Sequence, residues 1–262
     1  MDSAPSQPTT ITFRRRGIRI REVYFDDDAA IAQRGTDLVR VLAMPESRDG
    51  AGARLSHTAV VDLTLTDEEL LAAMAKGTRY EIRRARDKEG LDAAALDRPD
   101  AAIVRQFADY YDEFASTKGL AAVFRPRLEA MAEAGILTLT RTPATGPDVA
   151  VWHAYARSPR HALLLYSASL FRTSDDTTDR AAAGRANRFL HWHDMLHFKM
   201  SGCVSYDLGG IDVEGRGEET ARIASFKRGF GGLVRPTYAW SSPTSVRGRA
   251  AYAALSAMGV DF

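Results

Sequence analysis

The chain has 262 residues, and its 35 Lys+Arg against 34 Asp+Glu leave a formal net charge of +1. With 45% hydrophobic and 26% charged residues it can bury the core of one large domain or two small ones, which excludes polybasic and acidic disordered proteins. A lone Cys203 excludes a disulfide framework and a cysteine-based zinc site. The opening MDSAPSQPTT lacks the basic and apolar segments of a signal peptide, and no apolar run approaches the roughly 20 residues that span a bilayer. The expectation is a cytoplasmic globular protein with no membrane insertion. Arginine outnumbers lysine 30 to 5, as GC-rich codon usage would give, so each lysine stands out as a choice.

Residues 1–10 read as a polar tail. Ile11 to Phe25 alternates apolar residues with arginines, as strands at a sheet edge do. Arg48–Ser56 reads as a surface loop and Thr58–Leu65 as a buried strand. Thr66, with Glu69 three residues on, forms a capping box and starts a helix that Gly77 interrupts; a second helix spans Thr78 to Glu89. Asp100–Lys118 carries Ile103, Phe107, Tyr110, Tyr111 and Phe114 at helical spacing and ends at Gly119. Arg125–Ala134 is a further helix. Strands are predicted at Ile136–Arg141, Val149–Arg157 and His161–Leu170, then a polar loop at Thr173–Gly184 and a helix from Arg185 to Met200. A buried strand Cys203–Leu208, a helix Glu218–Arg228 and a strand Leu233–Trp240 complete the pattern. This order predicts an α/β (α+β) fold, a mixed sheet covered by helices.

The same order is that of the GNAT acyltransferase fold, and several segments resemble the FemABX family of aminoacyl-tRNA-dependent peptidyltransferases. Phe226-Lys227-Arg228-Gly229-Phe230-Gly231-Gly232 is similar to that family's Phe-Lys-x-Gly-Phe-Gly-Gly signature. Tyr206-Asp207-Leu208-Gly209-Gly210-Ile211 resembles its strand-end motif, and Ala186-Asn187-Arg188-Phe189-Leu190-His191-Trp192 the start of its central helix. Leu165–Ser169 is similar to the preceding strand, and Thr78–Ala85 to the arginine-rich linker helix. The resemblance covers about 58–240. It implies one complete C-terminal GNAT-like domain (96–262) and a reduced N-terminal GNAT-like portion (11–95), because the chain is short for two full domains. No heptad hairpin stands where some members insert a coiled-coil arm.

The resemblance further implies that the strands His161–Leu170 and Cys203–Leu208 splay around the acyl group, with Tyr166, Ser167 and Tyr206 bordering the reaction centre. Lys227 would stabilise the negative oxygen that builds when an amine attacks an aminoacyl ester; its alternative is a solvated helix-end lysine. Phe226, Asn187, Gly229 and Gly231 complete the substrate set, the glycines allowing close backbone approach or positive φ. Asp207 is either the acceptor of the ammonium proton or a turn former before Gly-Gly. Arg79, Arg83, Arg84 and Arg86 either bind tRNA phosphates or form a solvated helix face paired with Glu81, Asp87 and Glu89. His193 and His197, at i, i+4, read as packed helix histidines, and no metal site is expected.

The implied activity moves an amino acid from aminoacyl-tRNA, bound at its acceptor end, to a free amine of a peptide natural product or cell-wall precursor. No cofactor is expected beyond that co-substrate, and no DNA partner; oligomeric state is not read. The alternative enzyme is an N-acyltransferase using acyl-CoA, against which Arg180-Ala181-Ala182-Ala183-Gly184-Arg185-Ala186 places its first arginine one residue too early for a pyrophosphate loop. A non-catalytic GNAT-like module that binds peptide or RNA is the third reading.

Overall fold

The computed structural model describes residues 9–25, 35–47, 53–143, 150–170, 177–215 and 217–257. In chain order the first elements are β1 (Thr9–Arg15), β2 (Ile18–Tyr24), β3 (Leu38–Met44), β4 (Arg54–Asp62), α1 (Asp67–Ala73) and α2 (Lys76–Asp87). They continue with β5 (Ala94–Asp97), α3 (Ala101–Lys118), α4 (Arg125–Glu133), β6 (Leu137–Thr142), β7 (Val151–Arg157) and β8 (His161–Ala168). The last are α5 (Thr177–Met200), β9 (Ser205–Gly210), α6 (Glu218–Arg228), β10 (Leu233–Pro243) and α7 (Val246–Ala257). The fold is the mixed, helix-flanked GNAT-like α/β architecture that the element order implies.

Two compact units divide the chain, one of 57–235 and one of 1–56 with 236–262. The boundaries between them fall at 56/57 and 235/236, with the arginine-rich helix inside the larger unit. In the smaller unit β1 and β2 form an antiparallel hairpin, β2 pairs in parallel with β3, and β3 pairs antiparallel with β10. Its core gathers Val23, Val39, Val41, Met44 and Trp240. Buried Glu22 is met by the Tyr24 hydroxyl at 2.6 Å and by Arg40 at 2.7 Å.

The larger unit holds the strand order β4-β9-β8-β7-β6-β5, in which β8 and β9 are the parallel pair and every other pair is antiparallel. Parallel neighbours need a crossover, and α5 supplies it, packed along α2. Leu63, Leu70, Ile82, Trp192, Phe198 and Phe230 share one core with strand residues Tyr155 and Tyr206. The capping box forms, with Glu69 N–H donating to the Thr66 hydroxyl at 3.2 Å and Thr66 N–H to the Glu69 carboxylate at 2.8 Å. Asp100 caps α3 by accepting from Ala102 and Ile103, and Gly119 closes it at φ 63°.

Three elements go beyond the sequence reading: β3, β5 and α7. The expected loop 173–184 is corrected where it is described, since 177–184 form the first turns of α5, consistent with the high helix propensity of Ala181–Ala183. Its positions 173–176, most of the expected tail (1–8), loop residues 48–52 and Val149 lie outside the described residues, while Thr9 and Thr10 belong to β1. Among the described residues, no helix is long and apolar enough to cross a membrane.

Candidate active site

The parallel ladder between β8 and β9 is short. It pairs His161 with Ser205, Ala162 with Tyr206 and Leu163 with Asp207, and then stops. Beyond that point Leu164–Ala168 stay paired to β7, and Asp207–Gly210 stay paired to β4, so each strand keeps one bonded neighbour as the two part. Where they part, a methyl built on Gly209 would lie 3.1 Å from the Leu164 carbonyl oxygen and 3.7 Å from Lys227 Nζ. Gly209 has φ +77°, a conformation open to glycine.

Lys227 therefore stands at the start of the opening. It projects from the last turn of α6 and donates to the Gly210 carbonyl at 2.6 Å. Burial pulls its ammonium below the ordinary lysine range, and Asp207 partly opposes that shift. Burial likewise pushes the Asp207 carboxyl up, against hydrogen bonds donated by the Thr58 hydroxyl and by Gly209 N–H at 2.7 Å and against the charge of Lys227. The two partly desolvated groups thus act on each other through their charges at the point of divergence.

The glycines of the signature hold this lysine in place by packing. A Cβ on Gly231, which has φ +78°, would fall 2.8 Å from the Ala73 carbonyl oxygen at the end of α1. One on Gly229 would fall 2.8 Å from Thr78 Oγ1, and the Gly229 carbonyl accepts from Ala75 N–H at 2.9 Å. Both thus bring α6 against the α1–α2 junction, Gly231 against the Ala73 backbone and Gly229 against the Thr78 hydroxyl. Phe226 is half-buried beside His191 and Phe230, with ring centroids 5.7 Å and 5.2 Å away.

The remaining expected site residues separate into two groups. Tyr166 and Ser167 sit on β8 past the end of the ladder, and the Tyr166 ring packs edge-on against Tyr111 of α3 at 4.8 Å. Tyr206 and Asn187 turn inward instead. The Tyr206 hydroxyl lies 2.7 Å from Tyr155 OH and 2.6 Å from His191 Nδ1, and Asn187 Oδ1 lies 2.9 Å from His153 Nε2. Both side chains are buried in the core, and alternation along β9 turns Tyr206 to the α5 side while Asp207 faces Thr58.

That core network centres on Asp194, which is fully buried. Its Oδ2 accepts from Tyr155 OH at 2.6 Å and Thr140 Oγ1 at 3.0 Å and contacts His153 Nδ1 at 2.8 Å. Burial alone would raise this carboxyl; the hydrogen bonds from His153, His193 and Tyr155, with the charge of His153, outweigh it and hold the group well below the usual carboxylate range. The same burial pushes the Tyr155 and Tyr206 phenols well above theirs. His153, His191 and Asp194 bring ligand-type atoms within 4.8 Å of one another, but His153 Nδ1 and His191 Nδ1 already carry the hydrogen bonds just described. His193 and His197 stack at 6.4 Å and face Asp194 and Asp97, as packed helix histidines do.

Of the linker arginines, Arg79 gives its guanidinium to the carbonyls of Ala72 in α1 and of Met74 just after it, so it caps that helix. Arg84 pairs with Glu89 at 3.1 Å and Arg86 with Asp87 at 2.6 Å. Arg83 joins Arg79, Glu68, Leu71 and Ala72 in lining a groove of about 340 Å³ between α1 and α2. The sequence reading missed Thr58, which meets Asp207 only through strand register and so leaves no local signal.

No family model and no curated protein matches the chain. Among solved structures it is similar in fold to FemX, with a TM-score of 0.61 and 11% identity over 97% of this chain and 85% of that one. The C-terminal domain of an Agrobacterium fabrum protein assigned as a lysylphosphatidylglycerol synthetase aligns with a TM-score of 0.53 and 14% identity, covering 90% of this chain and 82% of that one. L-PGS from Bacillus licheniformis gives 0.51 and 14%, over 92% and 82%. The chain has the GNAT-like fold these proteins share.

Proposed function

We propose that this protein is an aminoacyltransferase that moves an amino acid from the ester of an aminoacyl-tRNA to a free amine of a peptidic acceptor. The observation that carries the reading is the Lys227 ammonium held at the parting of β8 and β9, hydrogen-bonded to Gly210 O. An amine attacking an ester carbonyl creates an oxyanion, and a desolvated cation already fixed beside it lowers that barrier by about 3–4 kcal/mol. Collapse of the intermediate forms the amide and expels the ribose hydroxyl. Asp207, whose proton affinity burial increases, takes the proton the attacking nitrogen loses and returns it to the departing ribose oxygen, which leaves as the hydroxyl. FemX and L-PGS, both of similar fold, support a transferase reading at the level of architecture.

The test is incubation with a mixed aminoacyl-tRNA pool and, separately, with acetyl-CoA, followed by mass detection of amide products. Product that disappears on ribonuclease treatment is expected. Product from acetyl-CoA alone would assign an N-acyltransferase, and silence in both arms would assign a binding module.

A further inference from the structure

Arg188 lies on α5, the crossover between the two parting strands, and its guanidinium covers the Phe226 ring at 5.1 Å. Phe226 directly precedes Lys227. Within the described residues Arg188 makes one hydrogen bond, from Nη1 to the Gly184 carbonyl at 3.0 Å, and no carboxylate lies within ion-pair distance of it. The nearest opposing charge it feels is Glu81, which stands 4.0 Å from Arg185. An arginine that is half out of water without a carboxylate leaves most of its planar donor fork unused.

The charges around it are unbalanced. Arg188 covers Phe226, the residue before Lys227, and Asp207, whose charge acts on Lys227, already accepts from Thr58 and Gly209. Burial depresses the proton affinity of both cations, the response of positive groups that lack a full counter-charge. A ligand that restores balance brings an oxyanion of its own in addition to the carbonyl placed at Lys227. Stacking on Phe226 fixes the guanidinium plane and leaves its edge for two-point contact with such a group.

We propose that Arg188 binds the phosphate on the 5′ side of the terminal nucleotide of the aminoacyl donor, while Lys227 meets the ester carbonyl on the same nucleotide. This rests on the aminoacyl-tRNA reading above and deepens it. The donor is favoured over the acceptor because the phosphate is joined through one ribose to the very carbonyl that Lys227 addresses, and Arg188 covers the ring of the residue next to Lys227. Arg188 is thus a donor-binding residue, and a phosphate is the chemistry it selects.

The experiment titrates the full chain with two stable probes, 3′-aminoacylamido-adenosine with and without a 5′-phosphate, in which an amide replaces the labile ester. The unaltered protein is expected to bind the phosphorylated probe about tenfold more tightly. Arg188→Gln should reduce that preference to less than twofold with an unchanged melting temperature, and Arg188→Lys should keep part of it. A preference that survives in Arg188→Gln, or is absent from the unaltered protein while transfer from aminoacyl-tRNA proceeds, overturns the assignment of Arg188 alone. Coenzyme A binding that depends on Arg188, with neither adenosine probe bound, overturns the donor reading and this proposal together.

Discussion

Two regions of the larger unit take charged groups out of water and treat them in opposite ways. Around Asp194 the side chains of Thr140, His153, Tyr155, His191 and Tyr206 close a network in which each polar atom meets another. At the parting of β8 and β9, Lys227 reaches a single backbone carbonyl, and Arg188 above the neighbouring ring reaches another. Saturation gives a core one arrangement, since a half-satisfied buried network costs more than an apolar one. Incomplete satisfaction leaves binding capacity, which a substrate can use. The two lie one residue apart on β9, where Tyr206 serves the first and Asp207 the second.

The sharpest way to break this comparison is Asp194→Ala. Removing the hub strands His153 and Tyr155, and chemical denaturation should show a loss of about 3–5 kcal/mol. Lys227→Ala should do the reverse, cutting amide formation at least about a hundredfold while the melting temperature stays within a few degrees. If Lys227→Ala destabilised as much as Asp194→Ala, the lysine would be structural and the contrast would fail. Tyr206→Phe deletes one hydroxyl from the saturated side and should cost about 1–3 kcal/mol in the same denaturation assay.

The smallest effect concerns Asp207→Asn. The folded state raises the Asp207 pKa above the ordinary 3.8, so the fold binds that proton more tightly, and stability from this group is lost as pH rises through the folded value. Asparagine does not titrate. The melting temperature of Asp207→Asn relative to the unaltered protein should therefore climb by a few degrees from about pH 4 upward, as thermal melts across pH would show. A flat difference would mean that Lys227 compensates the carboxylate fully.

Much of this was legible in the sequence where the signal is local. Thr66 with Glu69, Asp100 and Gly119 marked helix ends because caps act within one turn, and α6 emerged with its expected bounds. β5 escaped because Ala-Ala-Leu-Asp has neither β-branched residues nor alternation; it exists through pairing with β6. Motif resemblance singled out Lys227 and Asp207, and the structure brings both to the parting of β8 and β9. The inward turn of Tyr206 and Asn187 was not legible, because a buried network is assembled from residues far apart in sequence, such as Thr140 and Asp194. Gly229 packs toward Thr78 of α2 and Gly231 toward Ala73 of α1, contacts that motif resemblance alone does not specify.

The short parallel ladder has a consequence for solubility. Backbone groups without a bonded partner at a sheet's rim form a template on which a second molecule can grow an aggregate, and proteins usually blunt such rims. Here the unbonded stretches of β8 and β9 face each other across an internal fork, with β7 fastened outside one and β4 outside the other. The chain can thus keep main-chain donors and acceptors ready for a small guest without offering them to a copy of itself.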